Sequence, residues 1–260
     1  MDRLSIIIPV LNEAAQIGPF LRHLRARARH AEIVVVDGGS EDGTGNLAAG
    51  LCDQLLTTKR GRPAQMNAGA QIAKGDILWF LHADNEISAD CVAAMTTALK
   101  DRQVAGGCFR VQILRPEWIY RVHDGLAHYV GRLLGVRCGD HGIFVRREVF
   151  LALGGYPDVP LMEDVELFRA VQSQGRVAWL SERLLLSCRR HVQVGVYRYT
   201  FVCAAIVALY CVGFRPPWLA RIYSSLVPSR CSPQYRKLEP VEDRLFADYR
   251  VKEEPIPQTA

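Results

Sequence analysis

Apolar positions along the chain change period repeatedly, and each change marks an element. Leu4 to Val10 is a β-branched and aliphatic run, after which Ile17, Phe20, Leu21 and Leu24 recur at helical spacing from Glu13 to about Ala28. The pattern predicts a strand followed by a helix. Ile33 to Val36 repeats the strand signal, ends at Asp37, and passes through Gly38, Gly39 and Ser40 into a helix from near Thr44. Leu55 to Thr57 is a weak third strand, Pro63 to Ala73 a helix with proline in its first turn, and Asp76 to Leu81 a strong fourth strand. Such alternation predicts a parallel sheet covered on both faces.

Beyond Leu81 the pattern is less regular. A loop from His82 to Glu86, a helix from about Ala89 to Leu99 and a strand from Gly106 to Ile113 are expected, then a helix from Trp118 to Leu134. A glycine-bearing turn, Cys138 to Gly142, leads to a short strand Ile143 to Arg146 and a loop ending at Met162. A helix from Glu163 to Ser173 and a strand near Val177 to Leu180 complete the sheet. Phe201 to Gly213 is an apolar run of 13 residues flanked by Arg198, Arg215 and Arg221, with Trp218 and Tyr223 beyond. A bilayer core needs about 20 such residues, so the segment 196–214 reads as a core helix, an oligomer contact or a helix lying in a membrane interface rather than a span.

The 260 residues, 49% apolar, suit one α/β domain. We expect a catalytic unit over 1–190, a helical segment over 191–226 and a flexible tail over 227–260, which leans acidic and carries Pro255 and Pro257. A net charge of +5 is too modest and too dispersed to hold nucleic acid, although eight arginines against one acid, Glu182, between Ser181 and Arg236 could meet an anionic surface. Ser5 to Val10 is too short for a signal-peptide core, so the expected location is cytoplasmic, at most peripheral on the inner face of the cell membrane. The eight cysteines show no C-x-x-C pair and read as reduced thiols.

Parallel α/β sheets bind ligands at the carboxyl ends of their strands. Asn12 with Glu13, Asp37, Asp84 with Glu86, and Glu163 with Asp164 all fall after strands or at a helix start. An acid such as Asp37 can hold a ribose hydroxyl or merely cap its turn. A dinucleotide-binding reading fails because the first turn, Val10-Leu11-Asn12-Glu13-Ala14, lacks glycine, and no G-x-x-x-x-G-K-[ST] occurs.

Four strings, SIIIPVLNE at 5–13, VVVDGGSEDGT at 34–44, GRPAQMNAGAQIAKGDILWFLHADN at 61–85 and MEDVEL at 162–167, together resemble the family 2 glycosyltransferases. The nearest resemblance is to a bacterial subgroup associated with radical-SAM proteins and arsenosugar biosynthesis. The resemblance implies a GT-A fold, a nucleotide diphosphate sugar as donor, UDP before GDP, a divalent cation (Mg²⁺ or Mn²⁺), and a hydroxyl acceptor. It puts Asp84 where the last acid of the family's D-x-D motif stands, as metal ligand or, alternatively, as helix cap. The first position of that motif is His82 here, with Ala83 between them. Pro9, Asn12, Glu13 and Asp37 are placed around the nucleoside, and Arg62, Gln65 and Asn67 on the donor or, alternatively, on the solvent side of their helix. Pro63 replaces the glycine usual in the subgroup.

The same resemblance makes Asp164 the general base of an inverting displacement, or a plain helix N-terminal acid, with the charge of Glu163 raising its proton affinity. Gly139 and Asp140, with Glu163, are placed near the acceptor. Arg189 and Arg190 are candidate diphosphate contacts or a solvated basic face, and His191 a candidate metal ligand. Two rival readings stand beside this one. A sugar-phosphate nucleotidyltransferase needs a glycine-rich, arginine-containing loop after the first strand, which PVLNEAA does not supply. A catalytically degenerate, membrane-associated scaffold has His82 and Pro63 in its favour.

Overall fold

The computed structural model describes residues 2–227 except 89, 114 and 116. The expected tail beyond 227 and Cys231 lie outside the described residues. In chain order the elements are β1 (Leu4–Val10), α1 (Ala14–Arg27), β2 (Glu32–Asp37), α2 (Thr44–Ala49), β3 (Gln54–Thr57), α3 (Arg62–Ile72), β4 (Ile77–Phe80), β5 (Asn85–Ile87) and α4 (Cys91–Ala98). They continue with β6 (Val104–Ile113), α5 (Trp118–Leu134), a 3-10 turn (Gly139–His141), β7 (Phe144–Arg146), α6 (Arg147–Ala152), α7 (Glu163–Gln174), β8 (Arg176–Leu186), α8 (Arg189–Val194), α9 (Val196–Cys211) and α10 (Pro216–Leu226).

One sheet of eight strands runs β3-β2-β1-β4-β7-β6-β8-β5. Its first four strands are parallel, and β6 is parallel to β8. β7 lies antiparallel between β4 and β6, and β5 antiparallel on β8, so the sheet is mixed rather than purely parallel. Two differences from the sequence pattern matter for the site. Asn85–Ile87, expected as loop, is a strand at the far edge from β3, and β8 runs on to Leu186. Three residues cannot show a period, and the strand exists because β8 offers it a partner.

Alternation along the strands sorts the core into two layers, as a two-residue side-chain period requires. Ile6, Ile8, Ile33, Val35 and Trp79 pack under α1 and α4 through Ile17, Phe20, Leu21 and Met95. Ile7, Val34, Val36, Leu78 and Phe80 pack on the other face under α3, α6 and α7 through Met66, Phe150, Leu167 and Phe168. At Gly69 a Cβ would lie 2.6 Å from Ile7 and 2.9 Å from Val36, so α3 lies directly on the strands.

α9 buries one face, Val202, Ile206 and Tyr210, in a third cluster shared with Val136, Met162 and Val165. The C-terminal helices therefore brace the start of α7. Their other side leaves Tyr197, Phe201, Phe214 and Trp218 exposed. Among the described residues no helix is long and apolar enough to cross a membrane.

Candidate active site

The loops after β1 and β2 are tied together before any ligand is considered. Asn12 adopts a left-handed backbone, φ 54°, and its side-chain oxygen accepts from the Glu41 N–H at 3.0 Å while its own N–H donates to Ser40 Oγ at 2.9 Å. Asparagine tolerates this conformation better than most residues. Asp37, buried at the end of β2, accepts from the Ser40 N–H (2.8 Å) and hydroxyl (2.7 Å) through one oxygen. Pro9 is buried in β1, and the Glu13 N–H donates to Thr44 Oγ1 at 2.8 Å. Gln65, expected at the donor, donates through Nε2 to the carbonyls of Val10 (2.9 Å) and Val36 (2.8 Å), fixing the gap between the two strand ends. Asn67 bonds the Tyr156 backbone in both directions, at 2.9 and 2.8 Å, and so pins the segment leading to α7.

The centre of the site is the meeting of three stretches distant in sequence. Glu163 and Asp164 open α7 and are buried, 2% and 5% exposed. The chain enters them through Met162 at φ 67°, a left-handed conformation that costs a non-glycine residue about 1–3 kcal/mol and persists only where surroundings enforce it. A Cβ on Gly139 would lie 2.4 Å from Asp164 Oδ2 and 2.5 Å from His82 Nε2, so only glycine lets the turn pass between those two side chains. The Asn85 amide holds that turn by donating to the Asp140 carbonyl at 2.7 Å. Ala83 is buried and Asp84 half-buried in the connection from β4 to β5, and the Asp84 carbonyl accepts from the Ser187 N–H at 3.3 Å. Arg62 Nε stands 2.9 Å from Glu163 Oε1.

Burial, and next the neighbouring Glu163 charge, push the Asp164 carboxyl up to about 7, Arg62 and the Gly139 N–H acting the other way. Burial and the same two acids hold the Tyr156 hydroxyl well above its ordinary range. A carboxylate within reach of neutral pH, beside a glycine turn, is what a proton acceptor for a hydroxyl requires.

The basic run after β8 divides. Arg189, 1% exposed, reaches Gln16 Oε1 at 2.9 Å, Glu13 Oε2 at 3.5 Å and Ser187 Oγ at 3.1 Å, which brings two expected donor residues, Glu13 and Arg189, together. Arg190 points to the Tyr223 hydroxyl on α10. His191 is buried among rings, with Tyr199, His123 and Tyr120 at 4.7, 5.0 and 5.5 Å between centroids. Among the described residues no group of three or more His, Cys, Asp or Glu side chains could hold a metal by itself.

Residues 5–151 match the family described as Glycosyl transferase family 2. The chain belongs to the family 2 glycosyltransferases. Among its curated relatives is a PGL/p-HBAD biosynthesis glycosyltransferase of Mycobacterium tuberculosis, 33% identical over 162 residues, which are 58% of this chain and 62% of the relative. Another, the undecaprenyl-phosphate 4-deoxy-4-formamido-L-arabinose transferase of Aeromonas hydrophila, is 27% identical over 55% of this chain and 47% of its own length. The chain thus spans less than two thirds of the length of these relatives.

Solved structures show the GT-A fold of this glycosyltransferase-family chain. A mannosyltransferase from Pyrobaculum calidifontis, solved with GDP-Man and Mn²⁺, superimposes with a TM-score of 0.58 at 19% identity, covering 97% of this chain and 88% of that one. Glucosyl-3-phosphoglycerate synthase from Mycobacterium tuberculosis, solved with Mn²⁺, UDP and its product, gives 0.56 at 15% identity, covering 82% and 81%. Within the family frame, sequence reasoning missed Tyr156, Gln16 and Ser187. Their types and spacing carry no motif, and only packing brings Tyr156 to Asp164 or Gln16 to Arg189.

Proposed function

We propose that this chain is an inverting glycosyltransferase which moves a sugar from a nucleotide diphosphate sugar to a hydroxyl acceptor, with Asp164 as general base. The observation that carries the proposal is the convergence of Asp164 and His82 on Gly139, with the Asp164 carboxyl held near neutrality. The acceptor oxygen attacks the anomeric carbon from the face opposite the leaving group, its proton passes to Asp164, and the bond from the anomeric carbon to the diphosphate oxygen breaks. Inversion follows from the single displacement.

Among the described residues no side-chain group forms a metal cage by itself, yet a carboxylate oxygen at Asp84 suits Mg²⁺ or Mn²⁺, which commonly take one or two carboxylates and complete their shells with substrate phosphates and water. A cation bound there would neutralise charge on the departing diphosphate. Asn12, Glu13 and Asp37 line the strand ends that would receive the nucleoside, Gln65 spacing them. Arg62, at the first turn of α3, screens Glu163 and can face the diphosphate. UDP is favoured over GDP by the resemblance, although solved neighbours are described with either nucleotide. The radical-SAM-associated subgroup stays part of the proposal through the GRPAQMNAG and LHADN strings.

Titration with UDP and GDP, with and without Mn²⁺, tests the reading. Metal-enhanced nucleotide binding is expected, followed by donor hydrolysis in a screen of nucleotide sugars. No binding at millimolar nucleotide would favour the scaffold rival instead.

A further inference from the structure

A cleft of about 470 Å³ opens between the start of α5 and the α8–α9 corner, a volume suited to a small ligand. Trp118, Tyr120, His191, Val196 and Tyr197 wall it, and at its rim Arg115 donates to Glu117 at 2.7 Å. That rim pair is mutually neutralised, so the cleft presents no net charge to an entering molecule. Trp118 and Tyr197 are 64% and 63% exposed, aromatic faces held in water where stacking would cover them.

His191 is the second observation. It is 5% exposed, lines the cleft, and neither ring nitrogen makes a hydrogen bond. His141, also buried, has Nδ1 2.9 Å from the Phe109 carbonyl. A neutral imidazole offers one donor and one acceptor. A desolvated donor and acceptor left unmet is costly, and a hydrogen-bonding group brought within reach would relieve it. His191 lies two residues beyond Arg189 on α8, and Arg189 reaches Gln16 at 2.9 Å and Glu13 at 3.5 Å, so the cleft shares its helix with a residue expected at the donor.

We propose that this cleft is the acceptor subsite, that it takes a neutral hydroxyl compound whose body carries a flat aromatic ring, and that His191 hydrogen-bonds its polar substituent. The word acceptor rests on the glycosyl-transfer reading above; the ring-binding cleft does not. Trp118, Tyr120 and Tyr197 offer ring faces that a polyol or unsubstituted sugar has no flat apolar surface to cover.

Phenyl and methyl β-D-glucopyranoside carry the same sugar hydroxyls and differ by the ring, and their binding to the full chain can be followed by ligand-observed NMR without nucleotide. The phenyl compound is expected to bind at least about tenfold more tightly. Tyr197→Ala and Trp118→Ala, both at exposed positions, should each weaken it about fivefold while UDP–Mn²⁺ affinity stays unchanged. His191→Phe should weaken it similarly and His191→Gln, which keeps a donor and an acceptor, should restore it. Equal binding of the two glucosides, or phenyl binding indifferent to Tyr197→Ala, overturns the proposal. So does a His191→Phe variant that loses Mn²⁺-dependent UDP binding but keeps the phenyl compound, since His191 would then serve the metal. If the phenyl pattern holds while no nucleotide binds, glycosyl transfer fails and the ring site stands.

Discussion

Asp164 sets the residue scale, because one carboxyl is asked to be both buried and ionisable. As a base it must be deprotonated, so activity should rise with pH through about 7, read as the acid limb of kcat/KM. Its neighbours pull in opposite directions: Glu163→Gln should move that limb to lower pH, and Arg62→Gln to higher pH. Asp164→Asn should reduce kcat by about 10²–10⁴ with UDP–Mn²⁺ affinity nearly intact, and substantial remaining turnover would remove it from the mechanism. The same group affects stability. Its folded value, about 7, lies above the ordinary 3.8, so its contribution to stability is full below about pH 4 and is lost as pH rises through 7. Denaturant melts should therefore find Asp164→Asn more stable than the parent by on the order of 2 kcal/mol near pH 8, with little difference near pH 4.

At the scale of elements, the 3-10 turn and the start of α7 form one unit. Gly139→Ala would force a methyl into Asp164 and His82, so turnover should collapse and stability fall by about 1–3 kcal/mol. α9 supports that unit from behind. Ile206, 4% exposed in the cluster with Met162 and Val165, should on Ile206→Ala cost about 2–4 kcal/mol and lower kcat more than it raises donor KM. The opposite side of α9 and α10 exposes Phe201, Phe214 and Trp218 near Arg198, Arg215 and Arg221, a basic apolar face suited to an anionic membrane interface. If this face meets a membrane, the chain floats with anionic vesicles and less so with Phe201→Ser or added salt; no lipid association in the parent chain would leave the segment 196–214 as a core helix or oligomer contact.

For the whole molecule, the consequential contact is the buried pair of Arg189 with Glu13, which fastens the segment after β8 to the first helix. Removing one partner of such a pair strands a charge, so Arg189→Ala should cost about 3–5 kcal/mol, and pairing Arg189→Met with Glu13→Gln should recover much of it in thermal melts. Beyond residue 190, α9 and α10 share a core cluster with the start of α7. What the sequence by itself determined was the β-α alternation of the first half, the two-faced burial of its strands and the family motifs, because periodicity and turn chemistry are local. Only the tertiary structure decided that β7 and β5 run antiparallel, that Gln65 and Asn67 brace loops, that Arg189 and Arg190 part company, and that His191 sits in a ring cage. Those outcomes depend on partners far along the chain, and a side chain's role is settled by whichever partner the packing brings within reach.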